Sequence, residues 1–238
     1  MENLQVLMED KRVIEVNYEK KGMKQDEKIM DWESAKDKIC MRVIGPKQEA
    51  DLKYNALIVK FLNLSIVLYI KEENSTNKIL VVTKNDVRSW RLPVEQIVQK
   101  ALNNTGDKNS FVLKNMMGVL CNLIPDSINK EVKADFLLET EKNAMYVLST
   151  MSGRYGASSI LFPDIFQKVC DDLECNLFIL PSSVHELILV PQYPDGWCAE
   201  DLVQMVKEVN RTVVEAENLL ADSVYYFERK VGKVAIAA

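Results

Sequence analysis

The sequence predicts an α+β protein, built as a single domain over residues 1–238. It should have a mixed or antiparallel sheet, a central helical segment and a C-terminal β-β-α-β-β-α-β region. Three observations predict this class. The apolar residues switch between a period of two and a period near 3.6 along the chain. Strand-like runs cluster before and between the helical ones rather than alternating strictly with them. The composition, 47% apolar and 27% charged, is that of an ordinary globular chain. The 238 residues are long for one domain but within range. Any division is expected near 142/143, giving lobes 1–142 and 143–238.

The elements follow in order. Residues 12–18 (RVIEVNY) alternate as a strand. Residues 24–37 read as a charged helix anchored by Ile29 and Trp32. A strand over 39–44 is stopped by Gly45-Pro46, and 57–70 holds one long strand or two short ones. The β-branched run 78–83 (KILVVT) reads as a buried strand, joined to its predecessor through the polar turn 72–77 (EENSTN) as an antiparallel hairpin. In 93–104 the residues Val94, Ile97, Val98, Ala101 and Leu102 form one face of a helix, and Pro93 suits its first turn. A second helix is predicted over 111–123, weakened by Gly118.

Further on, a strand at 144–150 turns through 151–156 (MSGRYG) into a hairpin partner at 157–161. Pro163 opens a helix with Ile165, Phe166, Val169, Cys170 and Leu173 on its apolar face. Strands at 176–180 and 187–190 bracket Pro181-Ser182-Ser183, with Pro181 breaking the first of them. Leu202, Met205, Val206, Val209 and Val213 mark the last helix, and 223–227 (SVYYF) the closing strand.

Composition and motifs exclude several function classes. The longest apolar stretch, 56–70, is interrupted by Lys60, Asn63 and Ser65 and is shorter than a membrane-spanning helix requires. The acidic N-terminus does not read as a secretory signal, so a cytoplasmic location and no membrane partner are expected. Five irregularly spaced cysteines argue for reduced thiols rather than a disulfide framework. A net charge of −5 argues against a nonspecific nucleic-acid binder. Binding to nucleic acid would need Lys84, Arg88, Arg91, Lys100 and Lys108 to cluster. The C-terminal third is acidic: between residues 160 and 206, Asp164, Asp171, Asp172, Glu174, Glu186, Asp195, Glu200 and Asp201 face the single base Lys168.

No nucleotide-binding motif is present, and Gly153-Arg154-Tyr155-Gly156 reads as a turn. Cys170, Cys175 and Cys198 lack the paired spacing of a zinc site, so no metal and no cofactor are expected. The pairs Asp171-Asp172 and Glu200-Asp201 point apart on their helices, the second in a first turn where acids favour the dipole. The weak catalytic candidates are Ser182, Ser183, His185 and Glu186. They combine a hydroxyl, an imidazole and a carboxylate, the groups a nucleophilic hydrolase uses. Adjacent side chains rarely converge, however, and a serine bonding backbone in a turn explains the segment as well.

Several segments together resemble an uncharacterised bacterial family, a domain of unknown function common in anaerobic Gram-positive gut bacteria. They are 39–44 with 55–69 (its FLNLSIVLY core), Trp90 with Ala101-Leu102-Asn103-Asn104, Met145-Tyr146-Val147-Leu148 leading to Gly156-Ala157-Ser158, 179–186 (ILPSSVHE), 206–210 (VKEVN) and 222–226 (DSVYY). The resemblance runs from Ile39 to the C-terminus, with an N-terminal region shorter than is usual in the family. It implies a compact α/β fold and no catalytic residue.

The expectation for function is a non-catalytic, protein-binding accessory or regulatory protein. Its partner would be another protein with a basic surface, met at Asp171, Asp172 and Glu174. The kind of family suggests a setting in conflict between bacteria and mobile elements. The alternative is a hydrolase using Ser182 or Ser183 with His185.

Overall fold

The structure, a computed structural model, describes residues 31–71, 79–108, 111–116 and 144–238. The expected strand at 12–18, Ile29, the turn 72–77, Cys121 and the later part of the expected 111–123 helix lie outside the described residues. The fold is α+β with antiparallel sheets, as the clustering of strands predicts. The chain divides into two compact units, Met1–Asn109 and Ser110–Ala238.

In the first unit, α1 (Trp32–Ala35) leads into β1 (Ile39–Ile44), and Gly45-Pro46 ends that strand by opening α2 (Pro46–Leu52). Proline at the first helical position has no amide hydrogen to lose, so the strand stop is also a helix start. The 57–70 run is two strands, β2 (Ile58–Phe61) and β3 (Leu64–Lys71). β3 is central: β1 pairs along one side, and β2 and then β4 (Ile79–Val81) along the other, all antiparallel. β4 is half-buried rather than buried, because it is short and lies at the edge.

Two helices follow. α3 (Lys84–Trp90) is closed by a capping box in which the Thr83 hydroxyl accepts from Asp86 N–H and the Asp86 carboxylate accepts from Thr83 N–H. Its last residue, Trp90, stacks tilted on Trp32 at 5.2 Å. α4 (Val94–Lys108) buries Ile97, Val98, Ala101 and Leu102, the face its spacing predicts. It also seals the outer edge of β1. Buried Thr105 accepts a hydrogen bond from Met41 N–H at 2.7 Å, and buried Asn104 donates to Ile39 O at 2.8 Å. An exposed strand edge is thereby satisfied by helix side chains rather than by another strand.

The second unit holds a six-stranded antiparallel sheet in the order β10-β9-β7-β8-β6-β5. Its strands are β5 (Phe111–Asn115), β6 (Tyr146–Thr150), β7 (Asn176–Ser183), β8 (Glu186–Gln192), β9 (Tyr225–Glu228) and β10 (Lys233–Ile236). Helices cover both faces. α5 (Pro163–Leu173) sets Phe166 against Phe227 at 5.7 Å. On the other face α6 (Ala199–Thr212) packs Leu202, Val203 and Val206 onto Phe178, Leu180 and Val190. A strand covered on both sides reads as an unbroken apolar run, which is why 176–180 shows no alternation.

Four expectations are corrected here. Residues 111–115 form a strand, not the start of a helix. They pair with β6 from Phe111↔Thr150 to Asn115↔Tyr146, and Phe111 packs on Phe162 at 5.6 Å. Residues 157–161 are not a hairpin partner of β6, whose two edges are already taken by β5 and β8. They belong instead to a buried 3-10 helix, Gly156–Leu161. Pro181 does not break β7: the strand continues through it to Ser183, and the missing amide hydrogen falls at a register shift between Leu180 and Ser183. On α6 the buried face takes Val203 and Asn210, while Val209 and Val213 are exposed.

Candidate functional site

The hairpin between β7 and β8 places Ser182, Ser183, His185 and Glu186 at one sheet end. Ser182 Oγ donates to Glu186 Oε1 at 3.3 Å. Ser183 Oγ accepts from His185 N–H at 3.1 Å, the serine-to-backbone turn bond that the sequence allows. The imidazole is engaged elsewhere. Its Nδ1 accepts from Tyr155 N–H at 3.3 Å, and the two rings lie 5.7 Å apart. The His185 carbonyl accepts from Gly156 N–H at 2.9 Å and from Ser149 Oγ at 2.7 Å, and Val184 N–H donates to Asn218 O.

These bonds decide what the cluster can do. With Nδ1 accepting, a neutral imidazole carries its proton on Nε2 and presents a donor there. Neither ring nitrogen is then placed to take a serine proton. The structure brings Ser182 to Glu186 and His185 to Tyr155, but it forms no imidazole–hydroxyl hydrogen bond among the described residues.

The acidic candidates sit at the C-terminal end of α5. Asp171 accepts from Arg229 Nε at 2.7 Å and from Gln167 Nε2 at 3.2 Å. The Arg229 guanidinium holds the Asp171 carboxyl below the usual carboxylate range. Asp172 is exposed, and Glu174 is the left-handed residue that ends the helix, with φ of 56°. Arg229 therefore offsets part of this acidity, where carboxylates at a helix C-terminus would otherwise oppose the dipole. Of the basic residues, Lys84 donates to Lys53 O and Lys100 pairs with Asp37 at 2.9 Å.

Cys40, Cys170 and Cys175 are buried and unbridged, and Cys198 is exposed. Burial pushes the Cys170 thiol up to about 12. Among the described residues, no three His, Cys, Asp or Glu side chains gather as a metal would need.

A second place has the shape of a binding site. An open groove of about 660 Å³ lies between the end of β8, the start of α6 and the last two strands. Phe178, Tyr193, Trp197 and Tyr226 supply its aromatic surface, and Ala235, Ile236 and Ala237 continue the lining to the sheet edge. Phe178 and Tyr226 face each other across paired strands with ring centroids 5.4 Å apart. Trp197 is packed onto the α6 core cluster, so the wall is fixed. Gln192 Oε1 accepts from both Tyr226 Oη (2.8 Å) and Asn176 Nδ2 (3.1 Å), which ties the start of β7, the end of β8 and β9 together at one side of the groove. Trp197 Nε1 is buried and unpartnered among the described residues.

Sequence reasoning missed this groove. The signal was Tyr193-Pro194-Asp195-Gly196-Trp197. Proline and glycine at the second and fourth positions specify a turn, and Gly196 N–H closes it on Tyr193 O at 3.1 Å. Two large aromatics flanking a surface turn mark a site better than any motif in the chain. Ala235 to Ala237 carried no comparable signal, because β10 itself was not foreseen.

Compared with known proteins, the chain matches a family model over residues 4–229, that of a family of unknown function, DUF5688. The match begins well ahead of Ile39, where the resemblance read from the sequence starts. No curated protein matches the chain, and no solved structure does.

Proposed function

The chain belongs to DUF5688, a family of unknown function, and with no activity to inherit we propose that it acts by binding another protein, as an accessory or regulatory component. The observation that carries this reading is the open groove lined by Phe178, Tyr193, Trp197 and Tyr226. An apolar concavity with a few convergent polar groups is the general form of a binding site. The engagement of His185 Nδ1 by Tyr155 weighs against hydrolysis by Ser182 or Ser183 with His185, since it occupies the imidazole nitrogen that would accept a proton.

The test compares the two readings directly. Partners captured by the wild-type protein are purified and their affinity is remeasured with purified Trp197→Ala and Ser182→Ala variants. Binding lost on Trp197→Ala and kept on Ser182→Ala supports the proposal. A hydrolytic activity abolished by Ser182→Ala or Ser183→Ala in a folded protein overturns it.

A further inference from the structure

We infer that the groove receives an extended, basic segment of a partner protein, which pairs with the outer edge of β10 and lays a lysine or arginine across the aromatic wall. This rests on the protein-binding reading and names the chemistry of its site.

Three features of the second unit lead there. The first is an open edge. β10 ends the sheet, so its outer backbone groups are unpaired by any strand among the described residues. Such an edge accepts an added strand, with backbone bonds supplying affinity and alternate side chains supplying choice.

The second is a step in one row of side chains. Phe178 stands directly opposite Tyr226, and Tyr226 directly opposite Ala235. Positions that oppose one another across strands share a face. The row therefore descends from two rings to a methyl group at the sheet edge. A strand added at about 4.8 Å beyond Ala235 puts one of its side chains on this row. A long side chain there lies over the alanine and reaches the Tyr226 ring.

The third is charge. Asp195, Glu200 and Asp201 are exposed beside the groove-lining residues, and none forms an ion pair among the described residues. Within 192–201 no base accompanies them. An aromatic wall beside unpaired carboxylates suits a cation, through the ring quadrupole and through complementary charge.

Fluorescence anisotropy with labelled decapeptides tests the inference on the full chain. The probes are an alternating lysine–valine peptide, its glutamate–valine counterpart, and the lysine peptide N-methylated on alternate residues. The lysine peptide should bind, the glutamate peptide should not, and N-methylation should abolish binding by blocking the strand pairing. Asp195→Lys with Glu200→Lys should weaken binding about ten-fold. Trp197→Phe, which keeps a ring but offers a cation a weaker aromatic face, should weaken it about five-fold. Circular dichroism of each variant separates lost binding from lost fold. Tight binding of the N-methylated peptide overturns strand addition, and preference for the glutamate peptide overturns the basic partner. Either outcome leaves the protein-binding reading standing. Failure of every peptide overturns the inference, while remeasured partner affinities for Trp197→Ala judge the reading separately. A dimer in sedimentation that Trp197→Phe dissociates would assign the groove to a second copy instead.

Discussion

Tyr155 and His185 are joined twice, by the hydrogen bond from Tyr155 N–H to His185 Nδ1 at 3.3 Å and by the contact of their rings at 5.7 Å. Tyr155 holds a left-handed conformation, φ of 55°, that aims its amide at the imidazole. The next residue, Gly156, donates to the His185 carbonyl. The turn after β6 and the tip of the β7–β8 hairpin thus form one hydrogen-bonded clamp. The sole histidine of the chain is its centre.

Gly156 is the position where this clamp tolerates no side chain. A Cβ there would lie 2.5 Å from His185 O and 2.6 Å from Ser149 Cα, both backbone atoms of separate strands or turns. Gly156→Ala is expected to destabilise the protein by about 3 kcal/mol or more, as overpacking against backbone does. Urea unfolding followed by circular dichroism measures it. A midpoint equal to that of wild type would contradict the close approach.

Thr105 offers a second test, in the first unit. Its hydroxyl accepts from Met41 N–H and donates to Ala101 O, and the residue is fully buried. Thr105→Val keeps the shape and removes the acceptor, leaving a buried amide unpaired at a cost of about 1–3 kcal/mol. Thr105→Ser should retain most of the stability. Hydrogen exchange at the Met41 amide should quicken in the valine variant and not in the serine one.

The legibility of the fold follows the same local logic. Helices whose apolar spacing is complete, such as that of Ile97, Val98, Ala101 and Leu102, were readable because burial on one helix face imposes a period. Residues 111–115 and 157–161 were misread because their state is set by what pairs with β6, a non-local fact. The capping box of Thr83 and Asp86 is by contrast local, a hydroxyl and a carboxylate three residues apart at a helix start. At the hairpin the sequence allows either Ser182 or Ser183 to bond turn backbone; Ser183 does so, and Ser182 bonds Glu186 instead. The groove required β9, β10 and the 193–197 turn to meet, and no single segment records that meeting.

Ser158 and Ser159 are the counterpart of Thr105. Both are buried in the 3-10 helix, and neither hydroxyl has a partner among the described residues. An unsatisfied buried hydroxyl contributes desolvation cost without a bond. Ser159→Ala should therefore leave stability unchanged or raise it by up to about 1 kcal/mol. Thermal unfolding of the Thr105→Val and Ser159→Ala proteins side by side should show opposite behaviour for two similar deletions. A loss of several degrees in Ser159→Ala would reveal a bond or water at that hydroxyl.

The cysteines give the pH dependence. Cys170 and Cys175 occupy the two positions that meet at the end of α5, where Cys175 N–H closes on Cys170 O at 3.2 Å. Burial raises both thiols, Cys170 to about 12. The unfolded chain loses these thiol protons near the ordinary value of about 8.5, whereas the folded state holds them to higher pH. The stability tied to Cys170 is therefore complete below that ordinary value and is lost as pH rises towards about 12. Cys170→Ala should flatten this alkaline decline, although the smaller side chain lowers stability at neutral pH. Alkylation with iodoacetamide at pH 8 provides the independent check. Cys198, exposed at the head of α6, should be modified in the native protein, and Cys170 and Cys175 only after denaturant is added. Native labelling of Cys170 at the rate of Cys198 would mean that the end of α5 opens far more readily than its packing implies.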